Sequence, residues 1–418
     1  MAELTRRQTL ALAGSTLVAT TQAGWAQAAP IKIGFGMALS GGLAGGGKAA
    51  LLTYQIWAEQ VNARGGLLGR KVELVHYDDQ SNPATVPGIY TKLLDLDKVD
   101  LVISGYGTVP TAAAMPVIMQ RDKTFLSLFA LAANDQFRYN RYFQMQPNGP
   151  DAKIEFSKGF FELASALNPK PKTVALVGAD AEFGVLAIDG ARENAKTAGM
   201  KIVYDRSYPP NTIDFGSIIR EIKASKPDLL YMGSYPPDSA GLIRAIHEVG
   251  FGAQMVGGGM IGLQFAAFKQ QLGPMLNNIV DYDLYVPEPT MKFPGIEKLL
   301  KIYRARAVKA GVDPLGLYIP PFAFAEMQIL EASIKAAASL DDKKLAAHMR
   351  QATFPTVVGD IKFGKLGEWA KPRILLIQYR GIVGNDVNQF KQAGKQVILY
   401  PAKYKSGDLV VPFTSIKG

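Results

Sequence analysis

Val99–Met119 reads VDLVISGYGTVPTAAAMPVIM: an apolar strand running into a Gly-rich turn and then a small-residue helix. Leu101–Ile103 supplies the strand, and Gly105-Tyr106-Gly107 lets the backbone turn and come close to a ligand. Thr108 or Thr111 then caps the helix. In an open α/β sheet, ligands lie beyond the carboxyl ends of the strands, where a helix N-terminus presents free N–H groups to an anion. The stretch also fits an ordinary βα connection with a capping Thr, so its surroundings decide.

Those surroundings alternate strand and helix. Ile31–Phe35, Lys71–Tyr77, Leu101–Ile103 and Phe125–Phe129 read as strands, Met37–Gly47 as a loop, and Lys48–Arg64 and Pro83–Leu96 as helices. The pattern restarts with strands at Thr173–Val177, Lys201–Tyr204, Asp228–Met232 and Gln254–Val256, separated by helices at Val185–Ala198, Phe215–Ser225 and Ala240–Val249. Two successive series of this kind predict an α/β fold with mostly parallel sheets in two lobes. Arg141–Pro147 reads as a crossing between lobes, Asn278–Val286 as a return strand, Lys292–Ala310 and Phe322–Ser339 as helices, and Asp360–Phe363 with Arg373–Tyr379 as a hairpin. Residues 386–418 form a polar, Pro-containing extension with weak strands at Gln396–Tyr400 and Leu409–Val411 and no assigned place.

The first 28 residues read as an address. Arg6-Arg7 precedes an apolar run from Thr9 to about Ala19, and Ala26-Gln27-Ala28 is a small-x-small cleavage site. The paired arginines resemble a twin-arginine export signal, although Thr9 stands where that motif favours Phe. No later segment reaches the ~18 uninterrupted apolar residues of a membrane span. The net charge of +10 loses one unit with residues 1–28, leaving +9 on the exported chain. The basic residues are scattered singly, which suits a diffuse field for anionic solutes better than a nucleic-acid track. With no cysteine, disulfides, thiolate catalysis and Cys-based metal sites are excluded.

Catalytic sets are equally hard to assemble. Gly42–Ala49 has the glycine-to-Gly-Lys spacing of a phosphate loop, but Ala49 replaces the hydroxyl that holds magnesium. The three histidines, His76, His247 and His348, have no partner at metal-ligand spacing, and no Gly-x-Ser-x-Gly elbow occurs. Asp78-Asp79, neighbours at a strand end, point to opposite faces and read as a turn.

From Pro30 to Tyr379 the chain resembles the leucine/isoleucine/valine-binding family of periplasmic solute receptors serving ABC importers. The likeness is carried by Ile33–Gly41, Ala58–Gly69 with Val72–Asp79, Tyr231–Tyr235 and Thr353–Phe363. It implies a type I periplasmic binding protein fold, two Rossmann-like lobes joined by a three-segment hinge. One lobe would be 29–143 plus 279–350 and the other 144–278 plus 351–385. The resemblance also implies a monomer in the periplasm, without cofactor, metal, catalysis or nucleic acid, that takes a small-molecule solute to a permease in the inner membrane. It carries onto Thr108 the Ser/Thr that receives a ligand carboxylate. Ala130–Ala132 falls on a segment contributing backbone N–H groups, here without its usual Thr hydroxyl. Phe183 and Tyr235 take the places of aromatic residues covering the ligand from the second lobe. Ser40, Tyr106, Gly107, Phe129, Ala130, Ala132, Gly259 and Met260 complete the candidate binding set.

One departure bears on the ligand. Amino-acid receptors of this family commonly place an acid in the loop that here reads Gly257–Gly262, where it pairs with an ammonium group. An unpaired buried ammonium is costly, so an amino acid would need Glu182 or Asp238 instead. The expected solute is a small apolar or aromatic carboxylate, with a branched-chain amino acid and a neutral amide or urea as alternatives.

Overall fold

The computed structural model describes residues 28–416, and the export signal expected at 1–28 falls on residues outside that range but for Ala28. Two sheets organise the chain. The first is wholly parallel and carries β1 (Ile31–Met37), β2 (Val72–Asp78), β3 (Leu101–Ile103), β4 (Phe125–Ser127) and β5 (Tyr142–Gln144) in the order β2-β1-β3-β4-β5. Its connections are α1 (Ala44–Ala63), α2 (Val86–Asp95), α3 (Thr108–Gln120) and α4 (Ala133–Phe137). The uninterrupted burial of Leu101–Ile103 and Phe125–Ser127 is what a sheet covered on both faces requires.

After α5 (Ala152–Ser165) the second unit runs β6 (Thr173–Ala179), α6 (Glu182–Thr197), β7 (Lys201–Tyr208), α7 (Gly216–Ala224), β8 (Leu229–Ser234) and α8 (Pro236–Glu248). It continues through the short β9 (Gly252–Ala253), β10 (Met255–Met260), α9 (Ala266–Leu272) and β11 (Val280–Asp283). Helices α10 (Ile296–Ala307) and α11 (Ile319–Ala337) then return to pack with α1, and α12 (Asp342–Gln351) packs on α11, followed by a hairpin of β12 (Thr353–Thr356) and β13 (Gly359–Lys362). Finally β14 (Leu375–Tyr379) and β15 (Gln396–Tyr400) enter the second sheet, and β16 (Phe413–Thr414) pairs with β9. The second sheet reads β15-β14-β11-β10-β8-β6-β7, parallel except around β14.

Several expected boundaries move. Residues 280–283 belong to the second sheet, not to the first lobe, because β11 pairs with β10. The hairpin 353–362 packs on α11 and α12, so the first lobe extends past residue 350. Arg373–Tyr379 does not pair with Asp360–Phe363; its strand, β14, lies antiparallel to β11. Residues 386–416 of the extension are an integral part of the second lobe, contributing its edge strand and the cover over β9.

Two glycine clusters also differ from expectation. Gly45–Gly47 lies inside α1 rather than in a loop: a Cβ on Gly46 would meet the Tyr106 ring at 2.4 Å, and one on Gly47 the Ala38 carbonyl at 1.9 Å. Gly257–Gly259 lies inside β10, where a Cβ on Gly257 would sit 1.7 Å from the Val280 carbonyl and one on Gly258 2.1 Å from that of Met232. In both places glycine records a close neighbour, not a turn.

A buried polar network fastens the C-terminal edge to the second lobe. Lys269 Nζ donates to the Gln264 carbonyl (3.1 Å) and Gln396 Oε1 (2.9 Å), and Gln396 Nε2 donates to Asp283 Oδ2 (3.2 Å). Gln264 Nε2 in turn donates to Asp281 Oδ2 (2.9 Å), and Asp281 Oδ1 accepts from Met260 N–H (2.9 Å). All five side chains are at most 1% exposed. Burial pushes the Asp283 carboxyl up to about 6, with Lys269 opposing.

Candidate functional site

The carboxyl ends of β3 and β4 face those of β6, β8 and β10 across the space between the lobes, and there the chain encloses a cavity of about 20 Å³. From the first lobe come Leu43, Tyr106, Gly107, Thr108, Val109 and Phe129; from the second come Phe183, Tyr235, Ile261 and Tyr282. Gln146, on the first connection between lobes, and Tyr318, at the start of α11, close it. No charged side chain lines it. Four of the six aromatic rings run together, with Tyr106 and Phe129 at 6.3 Å between centroids, Phe129 and Tyr318 at 5.2 Å, and Tyr282 and Tyr318 at 6.2 Å, while Phe183 and Tyr235 pair separately at 5.8 Å.

Local sequence explains the wall's anchor points. Gly107, at φ +109, ends the tight turn after β3 and puts Thr108 at the first position of α3. Thr108 Oγ1 accepts from Leu131 N–H at 3.0 Å, tying the β3 and β4 loops together and leaving its own proton to donate. The first N–H groups of α3 lack intrahelical acceptors, and Pro110 has no N–H to leave unmet. Across the cleft, the Tyr235 hydroxyl accepts from Phe183 N–H at 3.1 Å and joins the loops after β6 and β8.

Of the candidate residues, Tyr106, Gly107, Thr108, Phe129, Phe183 and Tyr235 line this cavity. Ser40 does not: its hydroxyl donates to Asp78 Oδ2 at 2.7 Å, on the exposed rim. Ala130 is wholly buried behind the wall, and Ala132 begins α4 in the left-handed region. Gly259 and Met260 are inside β10, Gly259 pressed against Phe156, and it is the next residue, Ile261, that reaches the cavity. Sequence reasoning missed Leu43, Val109, Gln146, Ile261, Tyr282 and Tyr318 as lining residues. Ile261 and Val109 could have been found from the sequence as neighbours of named positions, and Leu43 from the Gly42–Gly47 stretch, whose glycines read as a ligand-contacting loop.

No ammonium partner is brought in. Asp238 lies against the Tyr208 hydroxyl at 3.2 Å, Asp281 is spent on Met260 and Gln264, and Glu182 is absent from the lining. Outside the cavity an open groove of about 340 Å³ shares Leu43 and Tyr106 with it and runs on along Gly42–Lys48, Phe265–Phe268 and Val312–Pro314. Since 20 Å³ holds about one water, a ring-bearing solute enters only when the lobes part and the two spaces merge.

Beneath the turn lies Asp79, 1% exposed, with Oδ1 accepting from Ser81 N–H at 2.8 Å and Oδ2 without a partner among the described residues. Burial pushes its carboxyl up to about 6, with Asp78 adding and the Ser81 bond opposing. A folded-state pKa above the unfolded value means the native chain binds the extra proton, so this group lowers stability as pH rises from about 4 to about 6. Asp79→Asn keeps the Ser81 acceptor. It is expected to unfold at higher urea than the parent at pH 7.5, by on the order of 1–3 kcal/mol, and to match it near pH 4. A difference independent of pH would refute the assignment.

Among the described residues no group of acids and histidines is placed to hold a metal, and no helix is long and apolar enough to cross a membrane. His247 and His348 are engaged with Met275 and Ser333, and His76 is stacked on Phe35, so none of the three faces the cleft as a base.

Comparison with known proteins agrees with this geometry. A sequence profile described as "Periplasmic binding protein" matches residues 30–371. The chain is 25% identical over 385 residues to Leu/Ile/Val-binding protein homolog 8 of Brucella abortus (strain 2308), covering 89% of this chain and 91% of that one. Among solved structures it resembles the branched-chain amino acid transporter substrate binding protein LivJ from Streptococcus pneumoniae in complex with isoleucine (TM-score 0.74, 20% identity, 89% and 100% coverage). It is similar too to an ABC transporter solute binding protein from R. palustris in complex with benzoate (TM-score 0.72, 19% identity, 91% and 98% coverage).

Proposed function

The chain belongs to the periplasmic binding protein family, a family of binding proteins and not of enzymes, and from that premise we propose that it captures a small aromatic carboxylate in the periplasm for the permease of an ABC importer. The observation that carries this reading is a narrow cavity between the lobes lined by six aromatic rings and no charged side chain. Thr108 and the start of α3 supply donors for a carboxylate, and the rings supply flat apolar faces. An α-amino acid would bring an ammonium group for which the lining of the cavity itself holds no carboxylate. Lobe closure over the solute both excludes water and presents a loaded shape to the permease.

A thermal-shift screen of benzoates, branched-chain amino acids and short amides tests the reading, because saturating ligand raises apparent stability by roughly 2–4 kcal/mol. Stabilisation by leucine or valine and by no ammonium-free acid would refute it, and would favour the solute bound by LivJ. Thr108→Ala is expected to weaken a bound carboxylate by about 1–3 kcal/mol in calorimetry, through loss of a hydrogen bond to a charged group. An unchanged affinity would remove Thr108 from the carboxylate seat.

A further inference from the structure

The cavity holds more hydrogen-bond donors than a plain aromatic acid can use. The Tyr282 and Tyr318 hydroxyls lie 2.6 Å apart, so one donates to the other and the acceptor's own proton is left over. The Tyr106 hydroxyl, on a residue only 2% exposed, has no partner in hydrogen-bonding geometry among the described residues, although the Tyr318 hydroxyl lies close enough to lower its pKa. Its position is forced, since its ring is wedged against Gly46, where even a methyl group would collide. Burial raises the pKa of all three phenols, so each remains a neutral O–H donor. These hydroxyls, with those of Tyr235 and Thr108 and the amide of Gln146, converge on a cavity whose other lining side chains are apolar.

Building on the aromatic-carboxylate reading, we propose that the solute is a hydroxylated aromatic acid, and that Tyr106, Tyr282 and Tyr318 select it by donating to its ring hydroxyl. A hydrocarbon ring or a branched aliphatic side chain would face these donors with carbon and leave them unmet in a water-free site, a large penalty in specificity. A ring hydroxyl accepts from the trio. The same three rings still pack against its aromatic face.

The test is titration calorimetry of the mature chain with benzoate, 4-methylbenzoate, 3-hydroxybenzoate and 4-hydroxybenzoate, the methyl group matching the hydroxyl in size. At least one hydroxybenzoate is expected to bind about tenfold or more tighter than 4-methylbenzoate. In Tyr106→Phe and Tyr318→Phe that ratio is expected to fall to within about twofold. Melting curves check that each variant folds, and Tyr282→Phe carries the test should one of them fail. Equal affinities for methyl and hydroxyl compounds overturn the selection by tyrosine while leaving the aromatic-acid reading intact, as does a ratio that survives in the Phe variants. Binding of leucine with no benzoate bound overturns both.

Discussion

Gly257→Ala is expected to lower the unfolding free energy by about 3–5 kcal/mol, far more than a methyl group usually does in a strand. The new Cβ would stand 1.7 Å from the Val280 carbonyl oxygen, which is backbone in the adjacent strand β11 and cannot rotate away. Relief requires β10 and β11 to separate in the middle of a seven-stranded sheet, breaking ladder bonds and moving Asp281 off Met260. Gly258→Ala meets the Met232 carbonyl at 2.1 Å and adds backbone strain at φ +147. Urea unfolding followed by circular dichroism reads both. As a control, Gly88→Ala, in the exposed face of α2 with nothing within 4 Å, is expected to gain about 0.5–1 kcal/mol. Parent-like stability of Gly257→Ala would show that the sheet yields more easily than its packing indicates.

Gln396→Leu is expected to cost about 3–5 kcal/mol, although it swaps one buried side chain for another of similar size. It strips Lys269 of one of its two acceptors and Asp283 Oδ2 of its amide donor at once, leaving each group one bond short where neither reaches water. A change within about 0.5 kcal/mol is expected for Lys391→Ala, an exposed residue of the same segment. Loss of less than about 1 kcal/mol in Gln396→Leu would mean that water replaces the amide. Removing residues 386–418 takes away the same bonds together with a whole strand, so that truncation is expected to prevent the second lobe from folding.

The strand-turn-helix at Leu101–Gln120 was legible because everything that shapes it is local: an apolar run, a glycine at positive φ and a helix start. The alternation of elements in both lobes was legible for the same reason. Gly46, Gly47 and Gly257–Gly259 were misread because their reason for being glycine lies elsewhere in the chain, in Tyr106, Ala38, Val280, Met232 and Phe156. Tyr282 and Tyr318 escaped notice on similar grounds. Tyr282 stands between two aspartates in a short strand and Tyr318 just before a helix, and only the connections between lobes bring their hydroxyls together. The weak strand Gln396–Tyr400 gave no hint that it would pair with β14, since an edge position depends on its partner's place in the sheet.

A ribosome making this chain completes neither lobe until late. The five strands of the first sheet have all emerged once Gln144 is made, but the helix that covers α1 arrives with Ile319–Ala337, and the bond from Tyr54 to Glu326 spans 272 residues. The second sheet waits longer, for the contact from Lys269 to Gln396 across 127 residues. Closures of such long range are slow to find. From the making of Asp283 until Leu375–Tyr379 arrives, β11 offers an unpaired strand edge to other copies of the nascent chain.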